Sequence, residues 1–342
     1  MCRTACEKNC NSQVEPIAPD CTKMMQDNVV IGVDVGGTKV AAGLVDCSGK
    51  IHSQSRTPMV ANDAARGLAA VSTAINELLN GSGTRRTPAI GVCAPGPLNP
   101  TTGIVINPPN LPAWHNFPLA DELRSLYPNT TIKMDNDANA AALAESKWGA
   151  GRGYRNLFYA TIGTGIGAGL VFDGQIYHGR TGSAVEGGHQ GIDPRGPLCP
   201  CGKRGCIEVL AAGPAIARRA REKLSRSAKS ALLEMASGDA QAITSEMVAK
   251  AYWAGDGIAR EVMKETLDLL GYWLGNVIDL VEPDVIVIGG GVSSMLAPFL
   301  EEIRARWPGA CLNPYPQEIP LVLAHYKEDA GIAGAAALCD TK

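Results

Sequence analysis

After a polar opening stretch the chain carries a short apolar run, Val29 to Val33, which Asp34-Val35-Gly36-Gly37-Thr38-Lys39 breaks before a second run from Val40 to Val45. Two apolar runs around a glycine-rich break predict a hairpin of two strands. The pattern recurs in the second half. There Leu157 to Ile162 leads into Gly163-Thr164-Gly165-Ile166-Gly167-Ala168-Gly169, then Leu170-Val171-Phe172, with Asp173-Gly174 as the next turn. Two such units predict a duplicated architecture.

Between them, Leu68 to Leu79 repeats apolar residues at helical spacing, and Ala89 to Cys93 predicts a strand that ends in the loop Ala94-Pro95-Gly96-Pro97. Ile132 to Met134 predicts another strand, which yields at Asp135-Asn136-Asp137 to a segment of strong helix propensity, Ala138 to Trp148. Further helices are expected at Pro214 to Leu224, Ser245 to Ala254 and Gly257 to Val281. The apolar run Val285 to Ile288 predicts a buried strand, closed by Gly289-Gly290-Gly291 before a new helix. Strands alternating with helices make this an α/β protein.

At 342 residues the chain is long enough for two domains, each with its own core. The balance of 31 Lys+Arg against 34 Asp+Glu advertises no basic face for nucleic acid, so small neutral partners fit better. No apolar stretch approaches the roughly 20 residues needed to span a bilayer, and the start lacks the apolar core of a signal peptide, so a cytoplasmic protein is expected. Residues 1–27 hold Cys2, Cys6, Cys10 and Cys21 among polar residues. A disordered tail is the expectation. The alternative is a metal or redox patch, because a spacing of four can put the first three thiols on one helical face.

The run Cys199-Pro-Cys201-Gly-Lys-Arg-Gly-Cys206-Ile-Glu208, with His189 in Glu186-Gly-Gly-His189, changes this picture most. Three thiolates and an imidazole complete a tetrahedral zinc shell with no open position, which suits a structural ion rather than a reactive one. The alternative is a disulfide, for which two Cys one residue apart are poorly placed. Glu186 and Glu208 lie on either side of the cluster, so a metal there would fix a loop presenting two carboxylates to a hydroxyl-rich ligand.

The turn at Asp34 to Lys39 offers backbone N–H groups, the Thr38 hydroxyl and a carboxylate suited to Mg²⁺, although a Gly-Gly pair is often no more than a turn. Thr164 and Gly165 repeat the offer in the second unit, and two hairpins facing each other can hold successive phosphates of one nucleotide. Neither fits the Walker or Rossmann spacing. Gly289-Gly290-Gly291 can seat a base or phosphate, or serve as a plain strand-to-helix turn. Asp137 is the candidate general base, with helix N-capping as its alternative role. Asn110, on a Pro-rich loop, can bond sugar hydroxyls or simply turn the chain.

Taken together, these motifs resemble those of the ROK family of sugar kinases, its glucokinases above all. The resemblance runs from about Val29 to Leu338 and rests on Asp34-Val-Gly-Gly-Thr-Lys39, Asp135-Asn-Asp-Ala-Asn139, the Gly163 hairpin, Glu186-Gly-Gly-His189, the Cys199 to Glu208 run and Gly289-Gly-Gly-Val-Ser293. It implies a duplicated, actin-like and ribonuclease H-like α/β fold with two lobes and a cleft. Residues 28–133 plus 329–342 would form the small lobe and residues 134–328 the large one. By the same resemblance Asp137 is the base, and Asn110, Asn136, Glu186, His189 and Glu208 bind a hexose. His189 would then give one ring nitrogen to Zn²⁺ and the other to a sugar hydroxyl. Asp34, Gly36, Gly37, Thr38, Lys39, Thr164, Gly165 and Gly289 to Gly291 would hold ATP with Mg²⁺. A homodimer is implied.

The family also includes repressors with an added helix-turn-helix domain, which the short stretch before Val29 leaves no room for. The expected reaction is phosphorylation of glucose at its 6-hydroxyl. N-acetylmannosamine, N-acetylglucosamine or fructose as acceptor, polyphosphate as donor, and a non-catalytic sugar sensor are the alternatives.

Overall fold

The computed structural model describes residues 29–82, 89–224 and 230–339. The expected tail with Cys2, Cys6, Cys10 and Cys21 lies outside them. The first predicted hairpin is β1 (Val29–Val35) paired antiparallel with β2 (Lys39–Asp46), and β3 (Ile51–Pro58) adds to β2. After α1 (Ala64–Ser82), strand β4 (Ile90–Ala94) lies parallel to β1. A ribbon of β5 (Leu98–Asn99) and β6 (Ile104–Val105) and the helix α2 (Leu119–Leu126) then lead to β7 (Ile132–Asn136), parallel to β4. The strand order is β3-β2-β1-β4-β7.

The second half repeats this plan. α3 (Asp137–Lys147) leads to β8 (Asn156–Ile162), β9 (Ile166–Phe172) and β10 (Gln175–Ile176), an antiparallel meander. β11 (Val285–Gly289) and β12 (Leu321–Leu323) extend it in parallel on the other side of β8. The order β10-β9-β8-β11-β12 matches the first sheet position for position, three meander strands followed by two parallel ones. Duplication read from two glycine-rich turns is thus present in the topology.

Each sheet has its own core. The first gathers Ile31, Val33, Val92, Ile75, Trp114 and Leu123. The second gathers Phe158, Ile288, Ile216 and Trp273, with the Phe158 and Trp273 rings edge to face at 6.0 Å. It is covered by α4 (Ile207–Ala211), α5 (Gly213–Leu224), α6 (Ser245–Trp253) and α7 (Gly257–Val281).

The halves are joined by an exchange of helices. α3 follows a strand of the first sheet but packs on β8 and β9. The last helix, α8 (Ala330–Ala337), follows the second sheet but packs on β1, β4 and α3. Small residues allow this closeness. A Cβ at Gly32 would stand 2.0 Å from the Ile332 carbonyl oxygen, and one at Gly334 would stand 2.5 Å from the Ala140 carbonyl carbon. No helix among the described residues is long and apolar enough to cross a membrane.

Candidate active site

The parallel strands of the first sheet put Asp34, Cys93 and Asp135 in register at their carboxyl ends, where ligands of open α/β sheets gather. The buried Cys93 thiol donates to Asp34 Oδ1 at 3.6 Å and to the Gly331 carbonyl at 3.3 Å. Burial pushes the Cys93 thiol well up, so it remains a neutral donor, and the nearby Asp34 and Asp137 charges push the same way. Asp34 is itself raised by burial, against the pull of the Cys93 hydrogen bond and the Lys39 charge. The turn beside it closes through Gly36 N–H to the Lys39 carbonyl at 2.9 Å. Gly37 lies so close to Asn110 that a Cβ would meet the Asn110 Cβ and carbonyl oxygen at 2.9 Å. Thr38, Lys39 and Asn110 are exposed on this rim.

At the junction of β7 and α3 the capping role weighed for Asp137 falls to its neighbour. Asn136 is the N-cap: its Oδ1 accepts from Ala138 N at 2.9 Å and Asn139 N at 3.4 Å. Its Nδ2 lies beside Gly96, just past the end of the neighbouring strand β4. Asp137, relieved of capping, accepts the adjacent Ala138 N–H at 2.8 Å and is also hydrogen-bonded by the Asn136 side chain. One edge of the carboxylate is open to the cleft, yet protein surrounds it on its other sides. That enclosure pushes the carboxyl up to about 6, with Asp34 and Glu186 adding repulsion and Ala138 N–H and Asn136 opposing it.

Asn136, Asp137, Gly96, Pro97 and Glu186 line one cavity. Glu186 is exposed at the start of a short turn, Gly187–His189, in which His189 N–H bonds to the Glu186 carbonyl at 3.0 Å. Val185, just before it, has φ of 61°, a left-handed conformation that is strained for a β-branched residue.

The donor atoms of His189, Cys199, Cys201 and Cys206 all lie within 4.8 Å of one another. Cys201 and Cys206 sulfurs are 3.6 Å apart, as are Cys199 Sγ and His189 Nδ1. Sulfur at about 2.3 Å from a tetrahedral ion gives ligand edges of about 3.8 Å, so the four fit one metal. A disulfide is excluded at these separations. The loop is laced to its neighbour by Ile207 N–H to the Gln190 carbonyl at 3.0 Å. Glu208, two residues beyond Cys206, reaches the second hairpin: its Oε2 accepts from Ile166 N at 2.9 Å and presses against Gly165.

A second cavity, of about 400 Å³, opens beside that hairpin between Gly163, Thr164, Gly213, Pro214, Thr244 and Gly291. Gly213 N–H bonds to the Gly163 carbonyl at 2.9 Å, which docks the start of α5 on the turn. Of the three consecutive glycines only Gly291 lines this space. Gly289 ends β11 against the Tyr159 ring, and Gly290, at φ 84°, packs on the Ile162 backbone.

Residues 30–342 match the ROK family. The chain belongs to the ROK family. It is 34% identical to the glucokinase of Thermotoga maritima over 310 residues, 90% of this chain and 96% of that one. Its fold is that of the ROK family glucokinase of Streptomyces griseus in complex with glucose and AMPPNP, at a TM-score of 0.76 and 32% identity, covering 91% of this chain and 99% of that chain. An N-acetylmannosamine kinase of Salmonella typhi is 30% identical over 309 residues, covering 90% and 97%.

In this ROK chain the fold brings Asp34, Asn136, Asp137 and Glu186 to one cleft and keeps Thr164 and Gly291 together in the neighbouring cavity. Sequence reasoning missed Gly213, Pro214 and Thr244. A Gly-Pro pair opening a helix and a Thr N-cap before α6 were signals of two helix starts, which could have pointed to a shared site.

Proposed function

We propose that the chain is an ATP-dependent hexose kinase that transfers the γ-phosphoryl group of ATP to the 6-hydroxyl of glucose. The observation that carries this reading is Asp137: a carboxyl near 6, free of capping duty, facing a cleft it shares with Glu186. In the reaction the sugar O6–Pγ bond forms, the bond from Pγ to the bridging oxygen of ADP breaks, and the hydroxyl proton passes to Asp137. A carboxylate of this basicity is ionised at neutral pH and basic enough to accept it.

Glu186, the Asn136 amide, Asn110, the free Glu208 oxygen and His189 Nε2 would hold the hexose, leaving His189 Nδ1 with the three thiolates on Zn²⁺. That ion would stiffen the loop and take no part in the chemistry. Asp34, through water, would hold Mg²⁺ on the ATP phosphates, with the turns at Gly36, Gly37, Thr38 and Lys39 and at Thr164 and Gly165 around them. The nucleotide base fits the cavity at Gly213, Thr244 and Gly291. Closure of residues 28–133 plus 329–342 onto 134–328 would keep water, a competing nucleophile, away from the phosphoryl group.

ATP as donor suits a cytoplasmic enzyme. Leu280 and Leu312 are both exposed and would contribute apolar surface to a homodimer. ADP release measured with glucose, N-acetylmannosamine, N-acetylglucosamine and fructose tests the reading. Glucose is expected to give the highest kcat/KM; preference for N-acetylmannosamine would move the chain to the other named relative, and no ADP with any sugar would make it a sensor.

A further inference from the structure

The segment that runs from β10 to Glu186 has few anchors. Residues 179–181, 183 and 186 are exposed, and Gly179 and Gly182 are left-handed at φ of 65° and 89°. The segment leaves the sheet with Tyr177 N–H on the Leu170 carbonyl at 2.8 Å and packs on the second core again only at Val185. Among the described residues, positions 177–186 make a single side-chain hydrogen bond, from half-buried His178 to Asp135. The His178 carbonyl also accepts the Ala184 N–H at 3.2 Å, which closes residues 178–184 into a loop. A Cβ at Gly179 would stand 2.9 Å from the Ala184 Cβ, so the closed loop is tight. One imidazole thus ties it to β7.

The partner carboxylate has two separate tasks. Asp135 is buried, and its Oδ1 accepts from Asn136 N at 2.7 Å and Asn139 Nδ2 at 3.0 Å, which fixes the junction that carries Asn136 and Asp137. Its Oδ2 takes His178 Nε2 and so holds the loop that ends in Glu186. Residues from Gly182 to Glu186 line the same cleft as Asn136 and Asp137. Val185, left-handed at φ 61°, stands just before Glu186. Such a conformation persists only where the surroundings impose it, and the tie at His178 is one of those surroundings.

We infer that His178 is a positioning residue for the acceptor sugar, holding residues 179–186 through Asp135 so that Glu186 is presented to the cleft. The inference rests on the reading of Glu186 as a sugar ligand. Without the tie the loop would spend only part of its time in the binding form, and sugar affinity would fall by that fraction. The transfer step is spared, because the two bonds to Asp135 Oδ1 keep the junction at Asp137 in place and bound sugar restores the loop. A histidine that merely satisfied a buried carboxylate would give no such split between affinity and turnover.

The test compares the full-length wild type with His178→Ala, His178→Phe and His178→Gln. Three readouts are taken: hydrogen exchange of peptides covering 177–186 without ligand, glucose affinity by calorimetry, and ADP-release kinetics with glucose. The alanine and phenylalanine variants are expected to exchange faster across 179–186 and to raise the Kd and KM for glucose about fivefold or more, with kcat and the KM for ATP within about threefold of the wild type. Glutamine, whose amide returns a donor to Asp135, is expected to restore both glucose constants to within about threefold. Tyr127→Phe, which drops the hydroxyl bonds to Ser72 and Asn76 on α1, controls for lost stability and should match the wild type in every readout. If the alanine variant melts near the assay temperature, the phenylalanine and glutamine pair carries the comparison. Unchanged exchange, unchanged glucose affinity, a kcat that falls as far as the affinity, or full recovery with phenylalanine overturns the inference. A wild type that neither binds nor phosphorylates a sugar overturns the reading of Glu186 instead, and the exchange data then decide by themselves whether His178 holds the loop.

Discussion

The Glu208 carboxylate accepts the Ile166 backbone N–H at 2.9 Å, tying the loop after the Cys199 to Cys206 cluster to the first residue of β9. Glu208→Ala leaves that buried N–H without its partner, at a cost of about 1–3 kcal/mol, whereas Glu208→Gln keeps an acceptor and most of the stability. Urea unfolding of the two variants checks this. The KM for ATP should rise more in the alanine variant, since the hairpin it frees carries Thr164 and Gly165.

On the proposed reading, a metal held by His189, Cys199, Cys201 and Cys206 would fix the loop that carries Glu186 and Glu208. Cys201→Ser should bind less zinc, melt earlier and show a KM for sugar raised roughly tenfold or more. Metal content by atomic emission alongside the sugar KM checks it. A variant without metal that keeps wild-type sugar affinity would separate the cluster from the sugar loop.

Asp137 sets two opposite pH dependences. As the proposed proton acceptor it must be ionised, so kcat/KM should fall tenfold per pH unit below about 6 and level off above it. For stability, the carboxyl titrates near 3.8 in the unfolded chain and about 6 in the fold. Its stabilising contribution is therefore fully present below 3.8 and is lost as pH rises through 6. Asp137→Asn should raise the Tm at pH 7.5 relative to the wild type, and the difference should shrink on acidification. Melting curves from pH 5 to 8 read the sign directly.

Val185 holds φ at 61° next to Glu186, a conformation that costs on the order of 1–3 kcal/mol for such a residue. Val185→Ala loses packing against the second core yet keeps the strain, while Val185→Gly loses packing and sheds it. The usual order, in which glycine is about 0.5–1 kcal/mol worse than alanine, should therefore reverse. Thermal unfolding of both variants decides.

The repeated apolar, glycine, apolar pattern was enough to expose the duplication, because each unit is a local hairpin whose strands and turn are adjacent in sequence. The long amphipathic α7 and the buried β11 were legible for similar reasons. The helix α8 was not. Its sequence Ala-Gly-Ile-Ala-Gly-Ala-Ala-Ala has no polar face, since Ile332 to Ala337 are buried on all sides by the first sheet and α3. Likewise, the cysteine spacing announced a metal cluster, but nothing local told that the Glu208 carboxylate would spend one oxygen on Ile166. The pairing of His178 with Asp135, 43 positions apart, exists only because the segment after β10 returns to the end of β7. Of the glycines after β11, the ladder rather than the motif decides which one faces the cavity.

Asp137 is proposed to receive the proton of a sugar hydroxyl attacking ATP. ADP release and glucose binding, compared in the wild type and Asp137→Asn at pH 7.5, test it most directly. The expected result is a loss of turnover of about 10²- to 10⁴-fold with glucose affinity held within about threefold. Turnover within a factor of a few of the wild type would contradict it.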